Sequence, residues 1–123
     1  MVSQNRASRI AKGIQEILSE ILLFEVTDPR LQGVYVTGVS VDRELAFATI
    51  YVSALEGAER RDEILEGFKN AAGFLRSQLA QRTELRTFPK LRFIWDQTPE
   101  HAEKIEKLIA EIHEKEEKGK QGG

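Results

Sequence analysis

The residues whose types and spacing could do chemistry are cations. Arg6, Arg9 and Lys12 fall within residues 1–15, a stretch without a single acid. Lys69, Arg76, Arg82, Arg86, Lys90 and Arg92 stand against Glu84 alone in residues 69–92, a local net charge of +5. Between these clusters lie the acids Glu56, Glu59, Asp62, Glu63 and Glu66, so charge is sorted along the chain. Fields in physiological salt reach only about 8–10 Å. A chain of net charge −2 can therefore still turn a basic face to phosphates. The competing reading is ordinary solvated surface.

Other chemistries find little support. His101 and His113 stand in an acidic segment with no His-x-x-x-His or similar ligand spacing, and read as surface residues. The absence of cysteine excludes disulfides, thiolate zinc sites and cysteine nucleophiles together. There is no Gly-x-x-x-x-Gly-Lys phosphate loop, no Gly-x-Ser-x-Gly elbow and no nucleophile with a base beside it. Neither enzymatic activity nor a metal or cofactor is expected. A literal Gly-x-x-Gly occurs at Gly119-Lys120-Gln121-Gly122. Such a loop clamps an RNA backbone when set between two packed helices, but no helix follows it here, and the match is set aside.

The segment between the second group of cations holds Ala71-Ala72-Gly73, three small residues in a row, with Lys69 before and Arg76 and Arg82 after. A break at Gly73 would free N–H groups at a new helix N-terminus, which suits a phosphate. Alternatively, Ala71 and Ala72 simply let an uninterrupted helix sit close to a sheet. Spacing alone favours the uninterrupted helix.

The elements that must position these residues follow from periodicity. With 123 residues, 41% hydrophobic and 31% charged, the chain fits one globular domain. Residues 5–26 read as a helix, with Ile10, Ile14, Ile17, Leu18, Ile21 and Leu22 in one stripe. It must end before Asp28-Pro29, and residues 28–33 form a turn. Residues 34–41 and 45–53 read as a hairpin closed by Asp42-Arg43-Glu44, with a bulge at Gly38. Residues 58–82 are helical through Ile64, Phe68, Ala71/Ala72, Leu75 and Leu79. Lys90 to Trp95 is a third strand whose Leu91, Phe93 and Trp95 share a face. A last helix opens with Thr98 as N-cap and Pro99 behind it. Its stripe of Ile105, Leu108, Ile109 and Ile112 is expected to pack on the domain, and residues 114–123 to form a frayed, solvated tail. The result is a two-layer α+β fold. The start runs into an amphipathic segment rather than an apolar signal core, and no stretch of ~18 apolar residues could span a membrane. A soluble, cytoplasmic protein is expected.

The order of elements, with Asp28-Pro29-Arg30-Leu31, Val41-Asp42-Arg43-Glu44-Leu45-Ala46, Ile50-Tyr51-Val52-Ser53, Ala71-Ala72-Gly73-Phe74-Leu75-Arg76 and Pro89-Lys90-Leu91-Arg92-Phe93, closely resembles bacterial ribosome-binding factor A over residues 5–97. The resemblance implies a type II KH-like domain, helix–strand–strand–helix–kink–helix–strand, over residues 1–97. An Ala-x-Gly interhelical kink stands in that family where Gly-x-x-Gly stands in others, and Ala71-Ala72-Gly73 matches it. Residues 98–123 would then be an appended helix and flexible charged tail.

The same resemblance implies a non-catalytic, cold-shock-related assembly factor. It would bind the immature 30S subunit and 16S rRNA around the 5′-terminal helix, assist late maturation and rRNA processing, and act as a monomer with small-subunit assembly GTPases as further partners. Arg6, Arg9, Lys12, Lys69, Arg76, Arg82 and Arg86 would contact phosphates, and Ala71, Ala72 and Gly73 would shape the backbone between them. Two rivals stay open: a KH-type module for other RNAs, and a protein–protein adaptor acting through the last helix.

Overall fold

The computed structural model describes residues 2–121, the side chains of residues 117–121 excepted. Helix α1 (Gln4–Phe24) starts where the Ser3 hydroxyl accepts the Arg6 N–H at 3.1 Å, an N-cap that occupies one of the orphan donors of the first turn. Its stripe of Ala7, Ala11, Ile14, Leu18 and Ile21 is buried. Asp28 then caps the 3-10 turn Pro29–Leu31 and pairs with Arg30 at 2.8 Å. That hydrogen-bonded partner holds the Asp28 carboxyl below the usual range.

Strand β1 (Val34–Val41) pairs antiparallel with β2 (Phe47–Ala54), and the register shifts between Val36 and Gly38, where the bulge was expected. The second strand begins two residues later than periodicity suggests. Leu45 adopts φ +57, and its N–H bonds the Asp42 carbonyl at 3.0 Å, which keeps residues 45 and 46 in the turn. Strand β3 (Lys90–Trp95) joins the other side of β2 in parallel, giving the sheet order β1-β2-β3.

Helix α2 (Arg61–Gln81) crosses from β2 to β3 on the same face as α1. Beneath both helices Ala48, Ile50 and Val52 are fully buried, and Phe68 stacks on Phe93 with ring centroids 4.5 Å apart. Gly67 makes room for the Asp28–Leu31 turn: a Cβ there would lie 3.1 Å from Leu31 Cδ2 and 3.3 Å from Arg30 Cβ. Arg60 locks that contact by donating to the carbonyls of Pro29, Arg30 and Gln32.

The expected kink is not there. The α-helix runs unbroken through Ala71, Ala72 and Gly73, and Gly73 has no positive φ. Ile64 and Phe68 before it and Leu75 and Leu79 after it are all fully buried. A break at Gly73 would rotate one pair off the sheet. Ala71 and Ala72 are half-buried flanks of that stripe, and Gly73 faces outward with nothing within 4 Å of where a Cβ would be. Gly73→Ala should therefore stabilise the protein by about 1 kcal/mol, because glycine in a helix interior carries that penalty. Chemical denaturation measures it, and a destabilised variant would restore the kinked geometry.

Helix α3 (Thr98–Gln121) also departs from expectation. Asp96 rather than Thr98 supplies its cap, accepting the Thr98 N–H at 2.9 Å. Ile105, Leu108, Ile109 and Ile112 do not pack on the domain; each is about half exposed, at 49–57%. The helix continues through the segment read as a frayed tail, supported by Glu/Lys pairs such as Glu103–Lys107. Gly122, which completes the Gly-x-x-Gly, and Gly123 lie outside the described residues. Among the described residues no helix is long and apolar enough to cross a membrane.

Candidate nucleic-acid interface

The first basic group occupies the outward side of α1. Arg6, Arg9 and Lys12 are exposed and form no ion pair among the described residues. Their position opposes local electrostatics: Arg6 sits in a first turn that contains no acid, where the helix dipole disfavours a cation. Glu16, Glu20 and Glu25 follow toward the other end, so the helix is basic at its N-terminal half and acidic beyond. Arg6 thus breaks a local rule at the surface with no structural gain nearby, which makes it a candidate for a functional role.

Arg6 and Arg86 line one open depression of about 510 Å³, floored by Leu45, Leu85 and Ala46, with Glu44 and Glu84 on it as well. Arg86 also borders a second depression of about 420 Å³ with Gly73, Arg76 and Phe88. The segment 83–88 thus carries Arg86 between the N-terminus of α1 and the outward side of α2. Lys12, exposed at the far end of the α1 row, borders a separate depression shared with Val39 and Ser40 of β1. Lys69 is exposed on α2, one turn before Gly73.

Two of the expected phosphate ligands are engaged elsewhere. Arg76 is half-buried rather than exposed: its guanidinium donates to the Phe88 carbonyl at 2.7 Å and to the Pro89 carbonyl at 3.3 Å. Arg82 pairs with Glu25 at 2.6 Å and ties the end of α2 to the end of α1. That hydrogen-bonded pair lowers the Glu25 carboxyl and raises Arg82 from their ordinary values. With no interhelical kink, Ala71, Ala72 and Gly73 offer no freed N–H groups; Gly73 contributes only an open stretch of helix surface. A mainly apolar depression of about 370 Å³ between Leu22, Leu23, Leu31, Val34 and Leu55 lies at the opposite end of α1 from Arg6.

Residues 6–109 match the sequence profile described as ribosome-binding factor A. The chain belongs to the ribosome-binding factor A family. One relative, ribosome-binding factor A of Alcanivorax borkumensis, is 45% identical over 108 residues, 87% of this chain and 79% of its own. Ribosome-binding factor A of Thermus thermophilus, in its crystal structure, superposes with a TM-score of 0.66 at 24% identity, over 72% of this chain and 93% of its own. The same factor as fitted into the cryo-EM map of a 30S complex gives a TM-score of 0.61 at 24% identity, over 74% and 96%. Both superpositions cover an α+β, KH-like body, and family membership accounts for the five segments of similarity between Asp28 and Phe93.

Lys90 and Arg92 belong to the same basic cluster, and strand alternation separates them from Leu91, Phe93 and Trp95. The structure sets Arg92 over the ring of Phe47, with the guanidinium carbon 3.6 Å from its centroid.

Proposed function

We propose that this protein binds the immature small ribosomal subunit as a non-catalytic, monomeric assembly factor in the cytoplasm, gripping 16S rRNA phosphates near the 5′-terminal helix. The observation that carries this reading is the exposed row Arg6, Arg9 and Lys12 on α1, without ion-pair partners among the described residues, with Arg86 in the depression beside Arg6. Lys69 extends the basic surface along α2. Membership in the ribosome-binding factor A family supports the choice of target, and so does the 30S complex of the Thermus thermophilus factor.

Such a factor acts by differential affinity. Binding an unfinished rRNA arrangement more tightly than the finished one shifts the subunit population toward the productive conformer, and maturation then expels the factor. A small-subunit assembly GTPase would be the partner that hastens release. Residues 1–97 form the RNA-binding unit, and α3 is an appendage to it. In a sucrose gradient the protein should travel with free, immature small subunits and stay off assembled ribosomes. Equal partition between the two would remove the assembly role while leaving general RNA binding in place.

A further inference from the structure

The outward face of the sheet carries a second set of groups. The three strands contain no aspartate or glutamate. Opposite the helix-covered face, the register aligns Tyr35 with Ser53, Gly38 with Tyr51 and Ser40 with Thr49. On the other side of β2 it aligns Lys90 with Phe47, Arg92 with Thr49 and Ile94 with Tyr51. Helices α1 and α2 lie on the opposite face. Tyr35 and Ile94 remain 37% and 44% exposed, and Lys90 and Arg92 are exposed as well.

Two surfaces on this face are flat and fixed. The Arg92 guanidinium lies over the Phe47 ring, a cation–π contact that fixes the side chain's position at little further entropic cost. Tyr51 stands across from Gly38, where a Cβ would lie 4.0 Å from its Cδ2, so position 38 places no side chain against that flank of the half-buried ring. The acids at the two ends of the face are already engaged. Asp42 accepts the Phe47 N–H at 2.9 Å, and Asp96 accepts the Thr37 hydroxyl at 2.6 Å across the central strand. Hydrogen bonding from Thr37, with the Thr98 N–H second, keeps the Asp96 carboxyl below the ordinary range.

We propose that this sheet face binds a short unpaired RNA segment, with bases stacked on the Arg92 guanidinium and the Tyr51 ring and phosphates drawn to Lys90 and Arg92. The proposal rests on the reading of the chain as an RNA binder and adds a second surface with a different target class. Phosphate contacts from α1 suit any RNA, paired or not. Aromatic and guanidinium planes on an open sheet require bases free to leave their stack. The charge decides for RNA over protein: the strands are basic and acid-free, and stacking planes alternate with cations as single-strand binders arrange them.

The test is a fluorescence-polarisation titration of the full chain with a labelled oligouridine of about ten nucleotides, and in parallel with an RNA hairpin and purified small subunits. Arg92→Ala and Tyr51→Val should each weaken oligouridine binding about tenfold, as expected for losing one stacked base. Arg92→Lys should keep the salt dependence but not the affinity, and Tyr51→Phe should bind normally. Tyr51→Phe also retains the ring if other variants lose stability in thermal melts. The combined variant Arg6→Glu, Arg9→Glu, Lys12→Glu should lose small subunits while retaining most oligouridine affinity, which separates this proposal from the α1 interface. Full rescue by Arg92→Lys, unchanged binding in Tyr51→Val, or no oligouridine binding by the wild type would overturn it. So would loss of subunit binding by the sheet variants with oligouridine binding intact, because the face would then contact protein.

Discussion

Arg6→Glu, Arg9→Glu and Lys12→Glu in one protein should weaken binding to small ribosomal subunits by roughly 10²–10³-fold at 0.1 M salt. Each neutralised phosphate contributes a salt slope of about −0.7 to −0.9, so three lost contacts cost about two to three powers of ten between 1 M and 0.1 M. The slope should become shallower by the same two to three units. The fold should survive, because all three side chains are exposed. Position 6 should even gain stability. Ser3 already caps the Arg6 N–H, and a glutamate there would complete a Ser-x-x-Glu capping box and match the helix dipole, worth about 0.3–1 kcal/mol. A variant that melts higher yet binds far worse would separate the functional charge from the structural one. Unchanged affinity would take α1 out of the interface.

Arg76→Ala should destabilise the protein by about 2 kcal/mol, the scale of hydrogen bonds made by a charged group. The guanidinium holds the carbonyls of Phe88 and Pro89, two buried residues that lead the chain into β3. Arg76→Lys should recover little, since a single ammonium cannot reproduce the fork. Folded Arg76→Ala protein should keep most of its subunit affinity. Wild-type stability together with a large loss of binding would return Arg76 to the phosphate-contacting set. Denaturant titration and subunit binding on the same preparations decide between them.

Elements dictated by local periodicity were legible in the sequence. The stripe from Ile10 to Leu22, the alternation from Leu91 to Trp95 and the bulge near Gly38 each follow from side chains that must reach one buried face. The kink at Gly73 was the informative miss. The resemblance implied it, while the spacing of Phe68, Leu75 and Leu79 argued for a continuous helix, and in this structure the burial pattern prevails. Positive φ at Leu45 could not be read from a residue type that rarely adopts it.

Within the site, charge clustering located the cations, but sequence spacing could not tell exposed from engaged. Arg82 finds Glu25 across 57 positions, and Arg76 finds carbonyls across 12 and 13. These partners exist only once α1, α2 and the 83–88 segment are assembled. Arg6 and Arg9 needed no such knowledge, because no acid lies within four residues of either, whereas Lys12 has Glu16 one turn on and only the structure shows that the two do not pair. The apolar stripe of α3 was misjudged for a related reason: periodicity predicts that a helix has an apolar face, not that this molecule covers it.

The affinity of the wild-type protein for purified small subunits, measured across a series of salt concentrations, tests phosphate-led binding most directly. If Arg6, Arg9, Lys12, Lys69 and Arg86 each neutralise a phosphate, log K against log salt should fall with a slope of about −3.5 to −4.5. A slope flatter than about −1 would mean that hardly more than one phosphate is engaged, and the basic face of α1 would then be no more than solvated surface.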